Sequence, residues 1–352
     1  MNDQDSVLTL KPYLAERLRC HINCFSQLSG GRNSQVYHLD CDGGKSFALK
    51  MYFRDKDDRR DRLAAEWSAY ALMTRYRLPH IPSPVFRDET EGVAVYEFIP
   101  GKRLMPEQIT RRHIDVLVSF LSFLESVKHD PMNENILPAS EAAFSIDAVM
   151  KNIDNRLGRL VNACNGEETC PKLIDFLHRK LSPFYDDVKV WCLEQSRQLG
   201  IDIYRQIDMD DRTLSPSDYG FHNALETENG RLYFFDFEYF GWDDPAKMIV
   251  DFFLHPAVKV KEALRYYFVE RMLSRLNHIY GLGARITVVY PLFGIKWCLI
   301  LLNEFIPSET RRRRFANAEG EDFRLAKENQ LEKAFQMFSY ITETYKEFCY
   351  GC

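Results

Sequence analysis

The loop Ser215–Asn223 and the segment Phe235–Glu238 contain the side chains whose types and spacing could do chemistry. The loop carries a carboxylate, Asp218, and five residues later a side-chain carbonyl, Asn223. A second carboxylate, Asp236, follows downstream. A carboxylate can align a hydroxyl and accept its proton, and carboxylate and amide oxygens are the hard ligands that Mg²⁺ prefers. The pattern predicts a phosphoryl-transfer centre that uses ATP and Mg²⁺, with Asp218 as the base and Asn223 and Asp236 as metal ligands.

Each of these three residues also has an ordinary structural explanation. Asp218 could be a turn residue, Asn223 could open a strand, and Asp236 could cap the element that follows it. Their order of loop, hairpin and carboxylate, downstream of a lysine on a predicted strand and a glutamate on a predicted helix, favours the catalytic interpretation.

Lys50 and Glu66 are this upstream pair. Lys50 has apolar neighbours on a predicted strand, and Glu66 lies at the edge of the apolar stripe of a predicted helix. A carboxylate turned partly inward needs a cation, so we expect the two side chains to pair. Such a pair could anchor the α- and β-phosphates of ATP. The alternative is an edge-strand lysine that reaches solvent.

Gly30 and Gly31 form a candidate phosphate-binding loop between two predicted strands. Glycines there would allow the backbone to approach a phosphate closely, and Asn33 and Ser34 could add donors. The sequence has neither the GxGxxG pattern nor the GK[ST] ending of a P-loop, so a plain hairpin turn is the alternative.

The first hundred residues predict the elements that position Lys50 and the glycine loop. Short β-like runs around glycines fill residues 25–52, a helical apolar period covers residues 59–77, and two more β-like runs fill residues 85–99. We therefore predict an N-terminal ATP-binding lobe over residues 1–100 that consists of a five-stranded antiparallel sheet plus one helix.

The rest of the chain predicts helices with one β feature. Long 3.6-residue patterns dominate after Pro106. The exception is a hairpin across Asn229-Gly230, because both turn residues tolerate positive φ. We predict a larger, mainly helical catalytic and substrate-binding lobe over residues 101–352, and hence a two-lobed α+β fold.

The composition is that of an ordinary globular protein, with 45% hydrophobic and 28% charged residues among 352. A net charge of −5 gives no reason to expect nucleic acid as a partner. Nine cysteines without a CxxC pair, and a start without a signal-peptide pattern, lead us to expect reduced thiols and a cytoplasmic protein. The apolar run Ile286–Phe305 is interrupted by Pro291 and Lys296, which favours a buried helix over a membrane span.

Together these motifs resemble those of the aminoglycoside phosphotransferase and choline kinase family, the small-molecule branch of the protein-kinase-like fold. The catalytic loop of that family usually reads His-Gly-Asp-x-x-x-x-Asn, and Pro216-Ser217-Asp218 with Asn223 fills the same frame. Its metal-binding segment, usually Ile-Asp-Phe/Trp-Glu, matches Phe235-Asp-Phe-Glu238.

The resemblance extends to the predicted ATP site. The strand lysine and helix glutamate of the family fall on Lys50 and Glu66, and its adenine-binding linker falls on Tyr96–Ile99. The resemblance implies an ATP- and Mg²⁺-dependent transfer of the γ-phosphate to a hydroxyl of a small molecule, such as an aminoglycoside, a sugar or an amino alcohol. The residues implied for ATP binding are Gly30, Gly31, Ser34, Lys50, Glu66, Glu97, Phe98 and Ile99.

The chain departs from the family pattern at three positions. Pro216 stands where the family normally has His, Gly220 replaces a frequent second His, and Met248 ends what is usually Asp-Pro-x-x-Asp. The base and both metal ligands remain, so we expect an active enzyme. The alternatives are a catalytically degraded nucleotide-binding scaffold and a kinase acting on a protein side chain, although the chain lacks the Ala-Pro-Glu segment of protein kinases.

Two sets of charged residues bear on the acceptor, and they suggest opposite charges for it. Arg311–Arg314 would suit an anionic substrate, although a solvated, partly disordered turn is the simpler prediction. The acidic residues within 208–211 and 243–244 would favour a cationic acceptor. Trp242 and Trp297 could stack on a sugar or enclose an ammonium, or they could belong to the core.

Overall fold

The computed structural model of the chain describes residues 3–28, 33–55, 60–133, 135–164, 170–257, 260–316 and 323–350. The chain forms two compact units. Unit 1 consists of Met1–Lys102, Leu225–Glu238 and Ser308–Asp322, and unit 2 of Arg103–Ala224, Tyr239–Pro307 and Phe323–Cys352. Two segments beyond residue 102, the predicted hairpin and the stretch after Pro307, therefore belong with the N-terminal residues.

The strands of the described residues form three sheets. In chain order they are Ile22–Leu28 (β1), Ser34–Cys41 (β2), Ser46–Tyr52 (β3), Pro84–Asp88 (β4), Val93–Glu97 (β5), Gly101–Lys102 (β6), Thr213–Ser215 (β7), Ala224–Thr227 (β8), Leu232–Phe234 (β9) and Gly241–Asp243 (β10). The first five strands make one antiparallel sheet in the order β1-β2-β3-β5-β4, so β3 is central. The other sheets have the orders β6-β8-β9 and β10-β7.

Most of the remaining described residues are helical. The α-helices are Asp3–Leu18 (α1), Arg62–Arg75 (α2), Arg111–Ser126 (α3), Ile146–Ala163 (α4), Pro171–Phe176 (α5), Ser182–Gln198 (α6), Pro245–Leu254 (α7), Glu262–Arg275 (α8), Leu282–Leu301 (α9), Pro307–Ala316 (α10) and Phe323–Thr344 (α11).

Helix α1 packs on the five-stranded sheet of unit 1. Leu10, Leu14 and Leu18 recur every four residues, so they lie on one face of the helix, and they share a buried cluster with Leu39 and Leu49 of the sheet. The predicted sheet is confirmed, but the prediction of a single accompanying helix is incomplete, because α1 is a second one.

Helix α2 positions Glu66. The side chain of Asp61 accepts a hydrogen bond from the backbone N–H of Ala64 at 2.9 Å and so caps the first turn. Leu63, Tyr70 and Met73 are buried along one stripe, and Glu66 is buried beside them. A charge in that position requires a partner, which the sheet provides.

The β8–β9 hairpin of unit 1 delivers Asp236. Its turn contains Asn229 and Gly230, and Gly230 has a φ of 74°. Thr227 and Arg231 close the turn through a backbone hydrogen bond of 3.0 Å. The predicted hairpin is confirmed.

Helix α9 is the central helix of unit 2, and α4, α6, α7 and α11 all pack against it. The segment Leu282–Phe305 is long and apolar enough to cross a membrane, yet 83% of its apolar window is buried within the protein. A helix that is apolar on all sides is expected in the core of a large helical unit. The predicted buried helix is confirmed.

Two smaller predictions are wrong. The residues Arg311–Arg314 lie in helix α10 rather than in a turn, and Arg312 is buried with its guanidinium 2.6 Å from the carboxylate of Glu309. The backbone oxygen of Phe315 on α10 accepts a hydrogen bond from Gln35 at 2.7 Å, which ties this helix to unit 1.

Cys349 is disulfide-bonded, so the expectation of reduced thiols fails there.

We expect Gly294→Ala to destabilise the protein by about 1–3 kcal/mol, because a Cβ at Gly294 on α9 would lie 2.3 Å from Cγ1 of Ile341 on α11. Urea unfolding measures the loss, and the double variant Gly294→Ala/Ile341→Ala should lose less stability than the sum of the two single losses. Gly158→Ala on α4 is the matched control. A Cβ there meets no atom within 4 Å, so it should be neutral or stabilising by about 0.5–1 kcal/mol. A double variant whose loss equals the sum of the single losses would contradict the steric explanation.

Candidate active site

Lys50 lies at the centre of a cluster of ion pairs in unit 1. Its Nζ is 2.6 Å from Oε2 of Glu66, 2.5 Å from Oδ1 of Asp236 and 3.5 Å from Oε2 of Glu238. The predicted pair of Lys50 and Glu66 is therefore present. Lys50, Glu66 and Glu238 are buried, whereas 34% of the Asp236 side chain is exposed.

Glu66 is held by three donors, two on strand β3 and one on the segment after β9. Besides Lys50 on β3, the hydroxyl of Tyr52 donates to Oε2 at 2.7 Å, and the backbone N–H of Phe237 donates to Oε1 at 3.2 Å. Hydrogen bonds to both oxygens leave the carboxylate little freedom to rotate, and they join helix α2 to the segment after β9.

Asp236 has an unusual backbone conformation, with a φ of 68°. A non-glycine residue in this left-handed region is uncommon and requires support from its surroundings. The next residue, Phe237, supplies it through its hydrogen bond to Glu66 and through its ring, which lies 5.1 Å from that of Tyr70. The turn directs the Asp236 carboxylate to Lys50.

The cluster contains three carboxylates and two cations, because Nε of the buried Arg62 lies 3.7 Å from Oε1 of Glu238. Burial lowers the pKa of Lys50, but Asp236, Glu66 and Glu238 raise it to well above its ordinary value. Burial raises the pKa of Asp236, whereas the neighbouring Lys50 lowers it. Because Glu238 and Glu66 also raise it, the pKa of Asp236 reaches about 7. Oxygens of the three carboxylates lie within 4.8 Å of one another. This surplus of negative charge fits a divalent cation such as Mg²⁺, with Asp236 as the accessible ligand.

The predicted phosphate loop is only partly described. Gly30 and Gly31 lie outside the described residues. The hydroxyl of Ser34 donates to Oε2 of Glu238 at 3.1 Å, and the Asn33 amide donates to Oε1 at 2.6 Å. Ser34 and Asn33, which were predicted to face a nucleotide, are thus bonded to Glu238.

The predicted adenine-binding linker, Tyr96–Ile99, begins within strand β5 and continues beyond it. The backbone N–H of Glu97 donates to the carbonyl of Ser83 at 2.8 Å, and the carboxylate of Glu97 accepts from the Ser83 hydroxyl at 2.9 Å. The ring of Phe98 packs on that of His38, with centroids 4.0 Å apart, and Ile99 is buried. Glu97 is therefore anchored by Ser83, while Phe98 and Ile99 continue the chain beyond the sheet.

Asp218 of unit 2 is held by two histidines. Nε2 of His222 lies 3.0 Å from Oδ1 of Asp218, and Nε2 of His255 lies 3.1 Å from the same oxygen. The two imidazole rings stack with centroids 4.0 Å apart. Burial by itself would raise the pKa of Asp218. The hydrogen bonds from His222 and His255 lower this pKa by more than burial raises it, so it lies well below its usual range.

Neither histidine was predicted as a site residue. His222 lies inside the loop Ser215–Asn223, four residues after Asp218, where its spacing could have indicated a contact. His255 follows helix α7 and has no local signal that relates it to the loop. Gly220 makes room for His222, since a Cβ at that position would lie 3.0 Å from the His222 ring.

Lys247 supports the loop Ser215–Asn223 at the residue after Pro216. Ser217 has a φ of 64°, and its hydroxyl accepts a hydrogen bond from Nζ of Lys247 at 3.0 Å and donates to the carbonyl of Ser140 at 3.1 Å. Lys247 is itself buried between Asp243 at 2.6 Å and Asp251 at 3.1 Å. A buried lysine, Lys247, therefore holds Ser217, the residue that follows Pro216.

Asn223 is oriented by the loop that contains Asp218. Its side-chain N–H donates to the backbone carbonyl of Asp218 at 3.0 Å. This bond uses the amide nitrogen and leaves the side-chain oxygen, the atom that a cation would require, pointing elsewhere. The predicted metal ligand therefore has its oxygen available.

The acidic residues that were expected to favour a cationic acceptor fall into two groups. Asp243 and Asp244 are fully buried and paired, Asp243 with Lys247 and Asp244 with Arg285 at 2.6 Å, so they do not face an acceptor. Asp208 is exposed and forms an ion pair with Arg205 at 2.8 Å.

Trp242 and Trp297 differ in their surroundings. Trp242 is buried in β10. Trp297 on α9 packs its ring 4.6 Å from that of His255 and donates from Nε1 to Asp251 at 3.1 Å. It therefore supports the histidine pair.

Comparison with known proteins identifies the fold. No protein-family model matches the sequence, and neither does any curated protein sequence. The chain is similar to a choline kinase from Cryptosporidium parvum, with a TM-score of 0.60 and 16% identity over 92% of this chain and 89% of that one. It is also similar to a spectinomycin phosphotransferase, with a TM-score of 0.58 and 13% identity over 94% and 98% of the two chains. For a choline kinase from Streptococcus pneumoniae the TM-score is 0.57, with 18% identity over 94% of this chain and 99% of that one.

The chain therefore has the kinase-like α+β fold of the small-molecule phosphotransferases, as its motifs predicted. The agreement spans nearly the whole length of both chains in each comparison.

We expect Lys247→Met to destabilise the protein by about 3–5 kcal/mol at pH 7.5, because it leaves Asp243 and Asp251 buried without their cation. Burial raises the pKa of Asp243 to about 6 even though Lys247 lowers it. Without Lys247 the folded-state pKa would be higher still, above the unfolded value of about 3.9. The folded variant would then bind protons more tightly than the unfolded chain, so the loss should shrink as the pH falls to 5.5.

Urea unfolding at both pH values measures this difference. The matched control is Lys151→Met, which removes an ion pair with Asp147 from a side chain that is 71% exposed, and it should cost less than about 1 kcal/mol. An equal loss for Lys247→Met at both pH values would contradict the assignment.

Proposed function

We propose that the chain is an ATP-dependent phosphotransferase that transfers the γ-phosphate to a hydroxyl of a small molecule. The observation that carries the proposal is the position of Lys50, whose ammonium lies within 2.6 Å of both the helix carboxylate Glu66 and the hairpin carboxylate Asp236. A phosphotransferase needs a lysine fixed in place for the phosphates of ATP and a carboxylate beside it for Mg²⁺.

The residues of unit 1 would bind the nucleotide. Lys50, kept charged and oriented by Glu66, would contact the phosphates, and the backbone of Glu97, Phe98 and Ile99 would face adenine. Asp236 and the side-chain oxygen of Asn223 would be the protein ligands of Mg²⁺. The ion would neutralise charge on the phosphates when bound.

Asp218 of unit 2 would be the base. A carboxylate with a low pKa is ionised at neutral pH, and it can therefore accept a hydrogen bond from an acceptor hydroxyl and orient its oxygen. Its side chain is 37% exposed, so a substrate can reach it.

The similar proteins support the same reaction class. The spectinomycin phosphotransferase structure contains ADP and spectinomycin, and the choline kinases are named for a small alcohol. We therefore propose aminoglycosides, sugars and amino alcohols as the first acceptors to test. An ATP-consumption screen of the purified protein against such a panel, with product detected by mass spectrometry, tests the proposal. Absence of ATP binding would favour a scaffold instead, and phosphorylation of a bystander protein would favour a protein kinase.

We expect Asp218→Asn to reduce turnover by about 10²–10⁴-fold while ATP binding is retained, because the amide cannot accept the proton of the acceptor. Steady-state kinetics and calorimetry with Mg²⁺-ATP measure the two properties. The matched control is Asp175→Asn, a carboxylate that is 50% exposed, on helix α5, and it should leave turnover unchanged. Full turnover in Asp218→Asn would refute its role as the base.

We expect chelation of Mg²⁺ by EDTA to abolish turnover and to weaken ATP binding by about tenfold or more, and added Mg²⁺ to restore both. In Asp236→Asn the affinity for ATP should respond less to Mg²⁺ than in the native protein, because the amide is a poorer ligand than the carboxylate. Calorimetry with and without Mg²⁺ makes the comparison. An unchanged response to Mg²⁺ in this variant would show that Asp236 is not a ligand.

A further inference from the structure

The two histidines on Asp218 contact one oxygen of its carboxylate and not the other. Both Nε2 atoms lie within 3.1 Å of Oδ1. A carboxylate oxygen has about two in-plane acceptor sites, so two N–H donors saturate Oδ1. Oδ2 is then the oxygen available to a substrate hydroxyl.

The hydrogen bond to the second nitrogen of His255 determines its tautomer. The backbone N–H of Ala257 donates to Nδ1 of His255 at 3.1 Å, so Nδ1 presents its lone pair and the ring proton is on Nε2. His255 is therefore a donor to Asp218 in its neutral form.

This tautomer also bears on metal binding. The nitrogen and oxygen atoms of Asp218, His222 and His255 lie within 4.8 Å of one another, a grouping that is compatible with a transition-metal ion. A metal ion at Nε2 needs the lone pair of that nitrogen. Because the proton of His255 is on Nε2, the arrangement favours a hydrogen-bonded clamp over a metal site.

The rings are fixed by packing as well as by hydrogen bonds. His222 and His255 stack at 4.0 Å with an interplanar angle of 13°, and the Trp297 ring meets His255 at 71°. Trp297 is itself held by its hydrogen bond to Asp251. Only 15% of the His222 side chain and 11% of the His255 side chain are exposed. Donors that are locked in this way can hold a carboxylate in one rotamer.

We infer that His222 and His255 are positioning residues that hold Oδ1 of Asp218 so that Oδ2 is presented to the acceptor hydroxyl. The inference rests on the proposed function, in which Asp218 is the base. It also explains how the loop dispenses with the histidine that Pro216 replaces, since the support comes from His222 within the loop and from His255 after helix α7.

Four variants test the clamp through kinetics. His222→Leu and His255→Leu remove the N–H donor, and His222→Gln and His255→Gln retain one at a similar reach. Each Leu variant should lower kcat by about 10–100-fold, part of the ~10²–10⁴-fold that a positioned base contributes, with the KM for ATP changed by less than about twofold. Each Gln variant should recover most of that kcat. His278→Leu is the control, because this histidine is 51% exposed and pairs with Glu125, and it should leave kcat unchanged.

Equal losses in the Leu and Gln variants, or unchanged kcat in the Leu variants, would overturn the clamp. Urea unfolding of all four variants separates a kinetic effect from a folding defect. A Leu variant that fails to fold leaves its Gln partner and the other histidine to decide the question.

A spectroscopic measurement tests the clamp independently of catalysis. In histidine-labelled protein, ¹⁵N spectra should show His255 with its proton on Nε2, and Asp218→Asn should shift the Nε2 signals of both His222 and His255. These results would support the clamp even if no acceptor were phosphorylated, in which case the proposed function alone would fail. A proton on Nδ1 of His255, or loss of the Nε2 proton signals on addition of one equivalent of Zn²⁺, would overturn the clamp in favour of a metal site.

Discussion

The buried ammonium of Lys50 is the interaction on which the architecture of unit 1 depends. A charge in the interior is costly unless ion pairs and hydrogen bonds replace its hydration. Lys50 obtains both from Glu66 on helix α2 and from Asp236 after the hairpin, so three separate elements must meet at one point of the central strand. Removing Lys50 would leave Glu66 and Glu238 buried without their shared cation. Lys50 and Arg62 offset two of the three carboxylates Glu66, Asp236 and Glu238, and the remaining negative charge is the physical reason to propose a divalent cation there.

Unit 2 also contains a buried lysine that is compensated by carboxylates. Lys247 is buried between Asp243 and Asp251, and it donates to the hydroxyl of Ser217, whose backbone is in the left-handed region. A loop conformation that is locally unfavourable therefore persists because a buried charge network supports it. Asp218, the next residue, is held by His222 and His255. The support of the loop is distributed over several residues rather than supplied by one histidine in the motif.

The residues that were predictable are those whose neighbours in sequence reveal their environment. Lys50 between apolar residues and Glu66 beside an apolar stripe each indicated a buried charge, and two buried charges of opposite sign on adjacent elements were expected to pair. The Asn229-Gly230 turn was predictable because few dipeptides tolerate positive φ so well. Helix α1 was missed, although Leu10, Leu14 and Leu18 have helical spacing. The arginine run was misread because its charge density suggested solvent, whereas Arg312 is buried against Glu309.

The amino-acid sequence by itself determined the types and order of the reactive groups: a lysine and a glutamate, then an aspartate and an asparagine on one loop, then an aspartate after a hairpin. It did so because local patterns of apolar residues and turn residues specify individual elements. Only the tertiary structure decided that His255 joins His222 on Asp218, that Lys247 supports Ser217, and that Ser34 bonds to Glu238. These contacts join residues from 30 to 204 positions apart. Packing of the complete chain brings such residues together, and no local pattern encodes it.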